Sequence, residues 1–274
     1  MADQDCIDFL QWALPQLHLR WAGFRKVRRQ VCRRLHKHLT DLGLSDLKEY
    51  QQYLELHSGE WNILDALCYI SISRFYRDRK LFDDLYQEIL PRLVKCKGHN
   101  RKSAIEAWSI GCCSGEEPYS LKILWELAVK PKLDQEKELH IIATDINLQL
   151  IQRAKRGIYS RGSLKELPAA FLEQAFDLQD ELLILRERFR NSVRFVQQDI
   201  RREFPEGGFD LILCRNLVFT YFDRELQESI LTKLVECLQE GGLLIIGAHE
   251  KLPFTSQSLV HSENQTLIFH KIRS

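Results

Sequence analysis

The stretch Ala107-Trp-Ser-Ile-Gly-Cys-Cys-Ser-Gly-Glu-Glu-Pro-Tyr-Ser120 gathers residue types suited to holding a ligand. Gly111 and Gly115 let backbone approach a bound molecule closely. Glu116 and Glu117 then open a helix, at the end where its dipole is positive and a phosphate would otherwise sit. Two carboxylates there repel a pyrophosphate and attract positive charge. Neither GxGxxG nor GxxxxGK followed by Ser or Thr occurs, so dinucleotide and ATP sites are disfavoured. The plainer reading of both acids, as complements to the helix dipole, stands beside the ligand reading.

Further along, Asp145 closes the apolar run that begins at Ile141. An acid in that place accepts hydrogen bonds from ribose hydroxyls, or caps the helix that follows; both readings stay open. Asp199 is a third acid at a strand end, either an adenine contact or an ordinary loop residue. Phe209–Cys214 runs into Arg215-Asn216 and then an aromatic stretch. There Asn216 is a candidate hydrogen-bonding partner for cofactor or acceptor, and Tyr221 and Phe222 candidate walls of a reacting site. Plain core packing suits Phe219 and Phe222 better than Tyr221. A ligand with positive charge and no phosphate fits this set, and S-adenosylmethionine has an ammonium, a sulfonium and no phosphate. Cys112-Cys113 reads as small residues filling a tight turn rather than as a reactive thiol. His249, after a late strand, is a candidate acceptor-site base; His36 and His38 read as solvated. No His or Cys set has metal-ligand spacing, so no metal is expected.

These residues need a scaffold. Apolar strand patterns at Ile105–Ile110, His140–Thr144, Val193–Gln197 and Phe209–Cys214 alternate with helical patterns at 117–128, 148–156 and 224–238. Such alternation implies a mostly parallel sheet with helices on both faces. Gly241-Gly242 ends the last helix. Leu243–Ile246 and Thr266–His270 follow and could pair antiparallel at the edge. The first 95 residues read as all-helical. Phe24, Val27, Val31 and Leu35 form a stripe in a basic helix from Arg20 to His38, which holds eight Lys/Arg and no acid. Gly43 stops that helix and Ser45 starts the next. A polar, basic link spans 95–102.

The chain has 274 residues, with 39 Lys+Arg against 38 Asp+Glu. That balance argues against general nucleic-acid or membrane binding. The basic helix alone supports an RNA-binding reading only weakly, and a solvated face serves as well. No run approaches the roughly 18 apolar residues of a membrane span, so no membrane insertion is expected. The first residues lack a basic, apolar leader pattern. Eight cysteines without a CxxC pair then read as reduced thiols in the cytoplasm.

Three segments together, WSIGCCSGEEPYSL, IIATDINLQLIQRAKRGIY and FDLILCRNLVFTYFDRELQESIL, resemble the CheR-type chemotaxis-receptor methyltransferases. RRLHKHLTDLGL and SRFYRDRKLFDDL resemble that family's N-terminal part, so the likeness runs through nearly the whole chain in order. The resemblance implies transfer of a methyl group from S-adenosylmethionine to a glutamate side chain of a receptor, with S-adenosylhomocysteine as product. It implies an α/β fold: a small all-helical domain, 1–95, before a Rossmann-like methyltransferase domain, 96–274, with a small β-subdomain around 176–192. Carried onto matching positions, it makes Ser73, Gly111, Glu117, Asp145, Asp199 and Asn216 cofactor contacts. It puts Arg77 and Tyr221 near the methyl-transfer centre, and turns the helix of Arg28, Arg29, Arg33 and Arg34 toward the substrate. The departures cluster on the acceptor side. One extra residue stands between Asn216 and Tyr221, Ser71 and Ser73 replace Asn and Thr, and GHSE reads Gly247-Ala-His-Glu250. A small-molecule acceptor and a non-catalytic cofactor-binding module are therefore the alternatives to a protein carboxylate.

Overall fold

The computed structural model describes residues 3–97, 104–134, 136–256, 258–262 and 265–272. Part of the basic link at 95–102 lies outside the described residues. The chain divides into two units: Met1–Ser71 with Val218–Gln227, and Ile72–Leu217 with Glu228–Ser274. The boundary read from sequence lies at 95/96. The helices Arg79–Asp84 and Leu90–Cys96 group with the second unit because Phe82, Leu85, Leu90 and Leu93 share one buried cluster with Ile105 and Trp125.

The first unit is helical, built on Asp3–Ala13, Arg28–Leu42, Leu47–Leu56 and Glu60–Leu67. Val31, Leu35 and Leu39 are the buried stripe of Arg28–Leu42, as a three-and-four spacing requires. The expected continuous helix from Arg20 is broken: Trp21–Phe24 forms its own short turn of helix. At the other end Gly43, with φ +72°, donates to the carbonyls of Leu39 and Thr40 and closes the helix. Asp46, not Ser45, caps the next one, accepting from the N–H groups of Lys48 and Glu49.

The basic residues of this unit split by role. Arg28 pairs with Asp3 at 2.7 Å. Arg34 donates to the carbonyl of Leu67 at 3.1 Å and to that of Tyr69. Arg29 and Arg33 are exposed. His38, expected in solvent, lies 2.5 Å from the buried carboxylate of Glu60, to which Tyr50 also donates at 2.8 Å. Cys6 and Cys32 form a disulfide, which corrects the expectation of reduced thiols for these two. They sit on Asp3–Ala13 and Arg28–Leu42, 26 residues apart, so proximity in the fold pairs them and no local motif announces it. The other six form no disulfide.

Residues 218–227 fold with these helices. The Arg20 N–H donates to Tyr221 O at 2.8 Å, and its guanidinium to the carbonyls of Thr220 and Phe219. A Cβ at Gly23 would lie 2.3 Å from Thr220 O, so the contact needs glycine.

The second unit carries strands β1 (Ile105–Ile110), β2 (Leu139–Asp145), β3 (Ile158–Ser160), β4 (Phe176–Gln179) and β5 (Leu182–Leu185). After them come β6 (Val193–Gln197), β7 (Phe209–Cys214), β8 (Leu238–Ile246), β9 (Leu259–Ser262) and β10 (Gln265–Lys271). Seven form one sheet in the order β6-β2-β1-β7-β8-β10-β9. The first five are parallel, and β10 runs antiparallel to β8 and β9. All six residues of β7 are buried, the pattern of a strand covered on both faces. Strand order reverses between β1 and β7, and crevices for ligands open at the carboxyl ends on either side of such a point.

Two details depart from the sequence reading. Gly241-Gly242 lies inside β8 and not at a helix end, because pairing with β7 resumes at Leu238 and shifts register between Phe209 and Leu211. The outermost strand is β9, not β10. The smaller sheet, β3-β5-β4, is antiparallel and holds the segment expected as a β-subdomain. No described helix is long and apolar enough to cross a membrane.

Candidate active site

Five loops leave the carboxyl ends of β1, β2, β6, β7 and β8. The loop after β1 is tightly folded. Gly111 has φ +66°, and a Cβ there would lie 2.7 Å from the Leu217 side chain. Gly115 has φ +89°, with Ala154 and Tyr119 side chains 3.0 Å from its would-be Cβ. Both positions need glycine for their positive φ, and at Gly115 also for room between Ala154, Tyr119 and Phe195. Between them Cys112 donates its N–H to Thr144 O at 3.0 Å, and the Tyr159 hydroxyl donates to Ser114 O at 2.6 Å. Burial pushes the thiols of Cys112 and Cys113 well above their usual range. Both are therefore neutral at pH 7 and unsuited to nucleophilic work.

Asp145 ends β2 and is 9% exposed. Its Oδ2 accepts the Cys113 N–H and its Oδ1 the Asn147 N–H, each at 2.9 Å. Burial raises its pKa, and the two N–H bonds oppose that rise. The helix Leu148–Arg156 is capped by Asn147, whose side chain accepts from Gln149 and Leu150. The capping alternative for Asp145 is thus removed. A carboxylate offers about four acceptor sites, so two N–H bonds orient Asp145 and leave it able to accept more.

The acids of the next helix are fixed differently. Glu117 Oε1 accepts from the Ser109 hydroxyl at 2.8 Å, and Oε2 from Arg215 Nη1 at 2.7 Å. Glu116 is 2% exposed, and burial raises its pKa against hydrogen bonds from Ser114 and Ser73. Its Oε2, like Nε of Arg215, is buried without a hydrogen-bond partner among the described residues. Orphaned buried polar atoms of this kind in a sheet-end crevice fit a polar ligand. Carboxylates beside them fit one that carries positive charge, as S-adenosylmethionine does.

Arg215 ties these acids to the loop of Arg77. Its Nη2 lies 2.5 Å from Asp78 Oδ2 and 3.1 Å from Arg77 O. Arg77 itself donates to Ile72 O at 3.0 Å and to Asn216 Oδ1 at 3.4 Å. It forms no ion pair among the described residues, which sets aside a plain surface salt bridge as its role. Tyr76, Asp78, Cys113 and Asn216 all have positive φ. Such conformations in non-glycine residues collect at functional loops that their surroundings over-determine.

Arg215 and Asn216 thus link Glu117 with Arg77, Ser73 bonds Glu116 beside them, and Gly111 and Asp145 stand at the ends of β1 and β2. Asp199 stands after β6, with Oδ1 accepting both the N–H and the Nε of Arg201, at 3.0 and 2.9 Å. Tyr221 belongs to the helical unit, where its ring packs 5.1 Å from that of Phe24. His249 is exposed.

Sequence reasoning missed two residues. Arg215, given no role in the sequence reading, stands directly after the run Phe209–Cys214, and a charge in that place is its signal. Glu250, next to the histidine that drew attention, is the buried one, and its Oε2 accepts from the N–H groups of Asn216 and Gly247.

Residues 71–268 match the family model described as CheR methyltransferase, SAM binding domain. The chain is 34% identical over 187 residues to a chemotaxis protein methyltransferase of Listeria monocytogenes, covering 68% of each. It is 36% identical over 210 residues to chemotaxis protein methyltransferase 2 of Vibrio cholerae, covering 74% of this chain and 70% of that one. With the chemotaxis protein methyltransferase of Escherichia coli it shares 30% identity over 231 residues, 81% of this chain and 76% of the relative. A sheet whose switch point gathers acids and no phosphate loop, and a family match over most of the length, agree: the chain belongs to the CheR methyltransferase family and is an S-adenosylmethionine-dependent methyltransferase.

Proposed function

We propose that the methyl acceptor is a glutamate carboxylate on a protein partner. The observation that carries this is the Arg77 guanidinium. It is held by Ile72 O and Asn216 Oδ1, with no acid paired to it among the described residues, so it can receive an incoming carboxylate. Guanidinium and carboxylate match in a two-pronged contact. The relatives named as chemotaxis protein methyltransferases support a protein acceptor.

S-adenosylmethionine supplies a methyl group on a positively charged sulfur. The chain's own tasks are then to bind, align and desolvate. Asp145 accepts from ribose hydroxyls, Glu116 turns its unpaired oxygen to the charged end, Glu117 stands beside it as a contact oriented by Arg215, and Gly111 admits the ligand against the backbone. Asn216 and Ser73 line the same place, and Asp199 stands on the adenine side. The acceptor needs no general base, because a glutamate carboxyl, with a reference pKa of about 4.3, is ionised at pH 7. That removes the need for His249. Alignment of two bound reactants is the main source of rate. For Tyr221 the family likeness alone supports a role near the transferring methyl. The exposed Arg29 and Arg33 meet the acidic partner, and the protein works in the cytoplasm.

The test is transfer of a labelled methyl group from S-adenosylmethionine to a lysate of cells that carry the protein. Label that is protein-bound and released by mild base, and lost with Arg77→Ala, is the expected result. Label on small molecules, or base-stable label on protein, refutes the carboxylate acceptor.

A further inference from the structure

The loop after β8 reaches across to the loop after β7, and one buried side chain joins them. Cys214 pairs with Ile246, so Asn216 and Gly247 lie just past neighbouring strand ends. Glu250 N–H donates to Gly247 O at 3.0 Å and closes a turn there. Its carboxylate folds back: Oε2 accepts from Gly247 N at 2.6 Å and from Asn216 N at 2.9 Å. Glu250 is 7% exposed. A buried carboxylate is costly unless donors surround it, and here backbone donors of both loops do so.

We propose that Glu250 is a positioning residue for Asn216, and that its carboxylate sets the backbone from which Asn216 meets the cofactor. This rests on reading Asn216 as a cofactor contact. Asn216 has φ +56°, a conformation an asparagine adopts but does not prefer. The bond to Glu250 holds the N–H that this conformation presents. The side chain is gripped as well. A Cβ at Gly247 would lie 2.7 Å from Glu250 Oε2 and 3.0 Å from Asn216 Cγ and Oδ1, so a larger residue there would displace both side chains. From its other side Arg77 donates to Oδ1. Glu250 thus holds the backbone, Gly247 leaves room for the carboxamide, and Arg77 donates to its oxygen. Sites built this way lose function when the supporting group moves, even by about 1 Å.

The experiment is calorimetric titration of the full chain with S-adenosylhomocysteine, alongside thermal melting. Glu250→Gln keeps an acceptor oxygen at full reach and should bind within threefold of the parent. Glu250→Asp keeps the charge but withdraws it by about one bond length, roughly 1.5 Å. It should bind at least tenfold more weakly while still melting cooperatively. Asn216→Gly keeps the positive φ accessible and removes the amide, and should also lose at least tenfold. The Asn216→Gly/Glu250→Asp double variant should bind like Asn216→Gly alone, because Glu250 acts through that amide. Two losses that multiply would overturn the proposal and make Glu250 a general structural residue. So would parental affinity in Glu250→Asp. Parental affinity in Asn216→Gly would instead refute the reading of Asn216, and the proposal with it.

Discussion

Replacing Arg215 by methionine removes a cation bonded to Glu117, Arg77 O and Asp78 while keeping most of its apolar stem. The Arg215 side chain is 2% exposed and that of Glu117 15%, so their contact counts as a buried pair. Removing one partner of such a pair costs about 3–5 kcal/mol, because the other charge stays buried. The Asp78 carboxylate is 36% exposed, and water can replace its contact at a cost of about 0–1 kcal/mol. The bond to Arg77 O adds about 1 kcal/mol. Glu117 keeps its Ser109 bond and the methionine packs, so the lower end of the range, about 3 kcal/mol, is the working figure. For a domain of this size, 1 kcal/mol moves the melting temperature by about 2–4 °C, so a fall of roughly 6–12 °C is expected. The assay is a thermal melt of Arg215→Met beside Arg215→Met/Glu117→Gln. Neutralising the stranded carboxylate should restore at least about 1 kcal/mol, since losing both charges is cheaper than losing one. A single variant that melts within 2–3 °C of the parent, on the same size scaling, refutes the claim that Arg215 carries the loops. A double variant less stable than the single refutes the stranded-charge reason for it.

Asp145→Asn should weaken S-adenosylhomocysteine binding at least tenfold, about 1.4 kcal/mol. Asn147→Ala should cost about 1 kcal/mol of helix capping with affinity kept; the reverse pattern in titration and melting would exchange their roles. The raised pKa of Asp145 means the native state holds that proton more tightly than the unfolded chain. Its stabilising effect is present below the ordinary carboxylate range and fades as pH rises through the folded value. The melting-temperature difference, parent minus Asp145→Asn, should therefore shrink from pH 4 to pH 7, and a growing difference contradicts the burial argument. Arg29→Ser/Arg33→Ser should raise the KM for the protein acceptor severalfold with melting unchanged. Arg34→Ala should instead lower melting, because it removes the hydrogen bonds to the carbonyls of Leu67 and Tyr69. Equal effects of the two would dissolve the division between partner-facing and structural arginines.

What could be read from the residues, and what could not, divides along the range of the interaction. The parallel strands announce themselves because β1, β2 and β7 are apolar runs set by their own residues. The early part of β8 hides because Gln239, Glu240 and two glycines look like a helix end, and only the shifted pairing with β7 makes them strand. Within Asp145-Ile-Asn147 either polar residue is a plausible cap by type. The choice is made by the Cys113 N–H, 32 residues away, which claims the aspartate. The same holds for the charges. Glu116 and Glu117 look alike in sequence, yet Glu117 is paired with Arg215 from 98 residues away and Glu116 keeps an oxygen without a partner among the described residues. Glu250 sits beside a histidine whose chemistry is easier to imagine, but its partner lies 34 residues back across the sheet. Residue type therefore marks where chemistry can occur, and burial with a distant partner decides which of two neighbours does it. That is why a change that preserves type but alters reach, such as Glu250→Asp, separates these roles more sharply than deletion of the side chain.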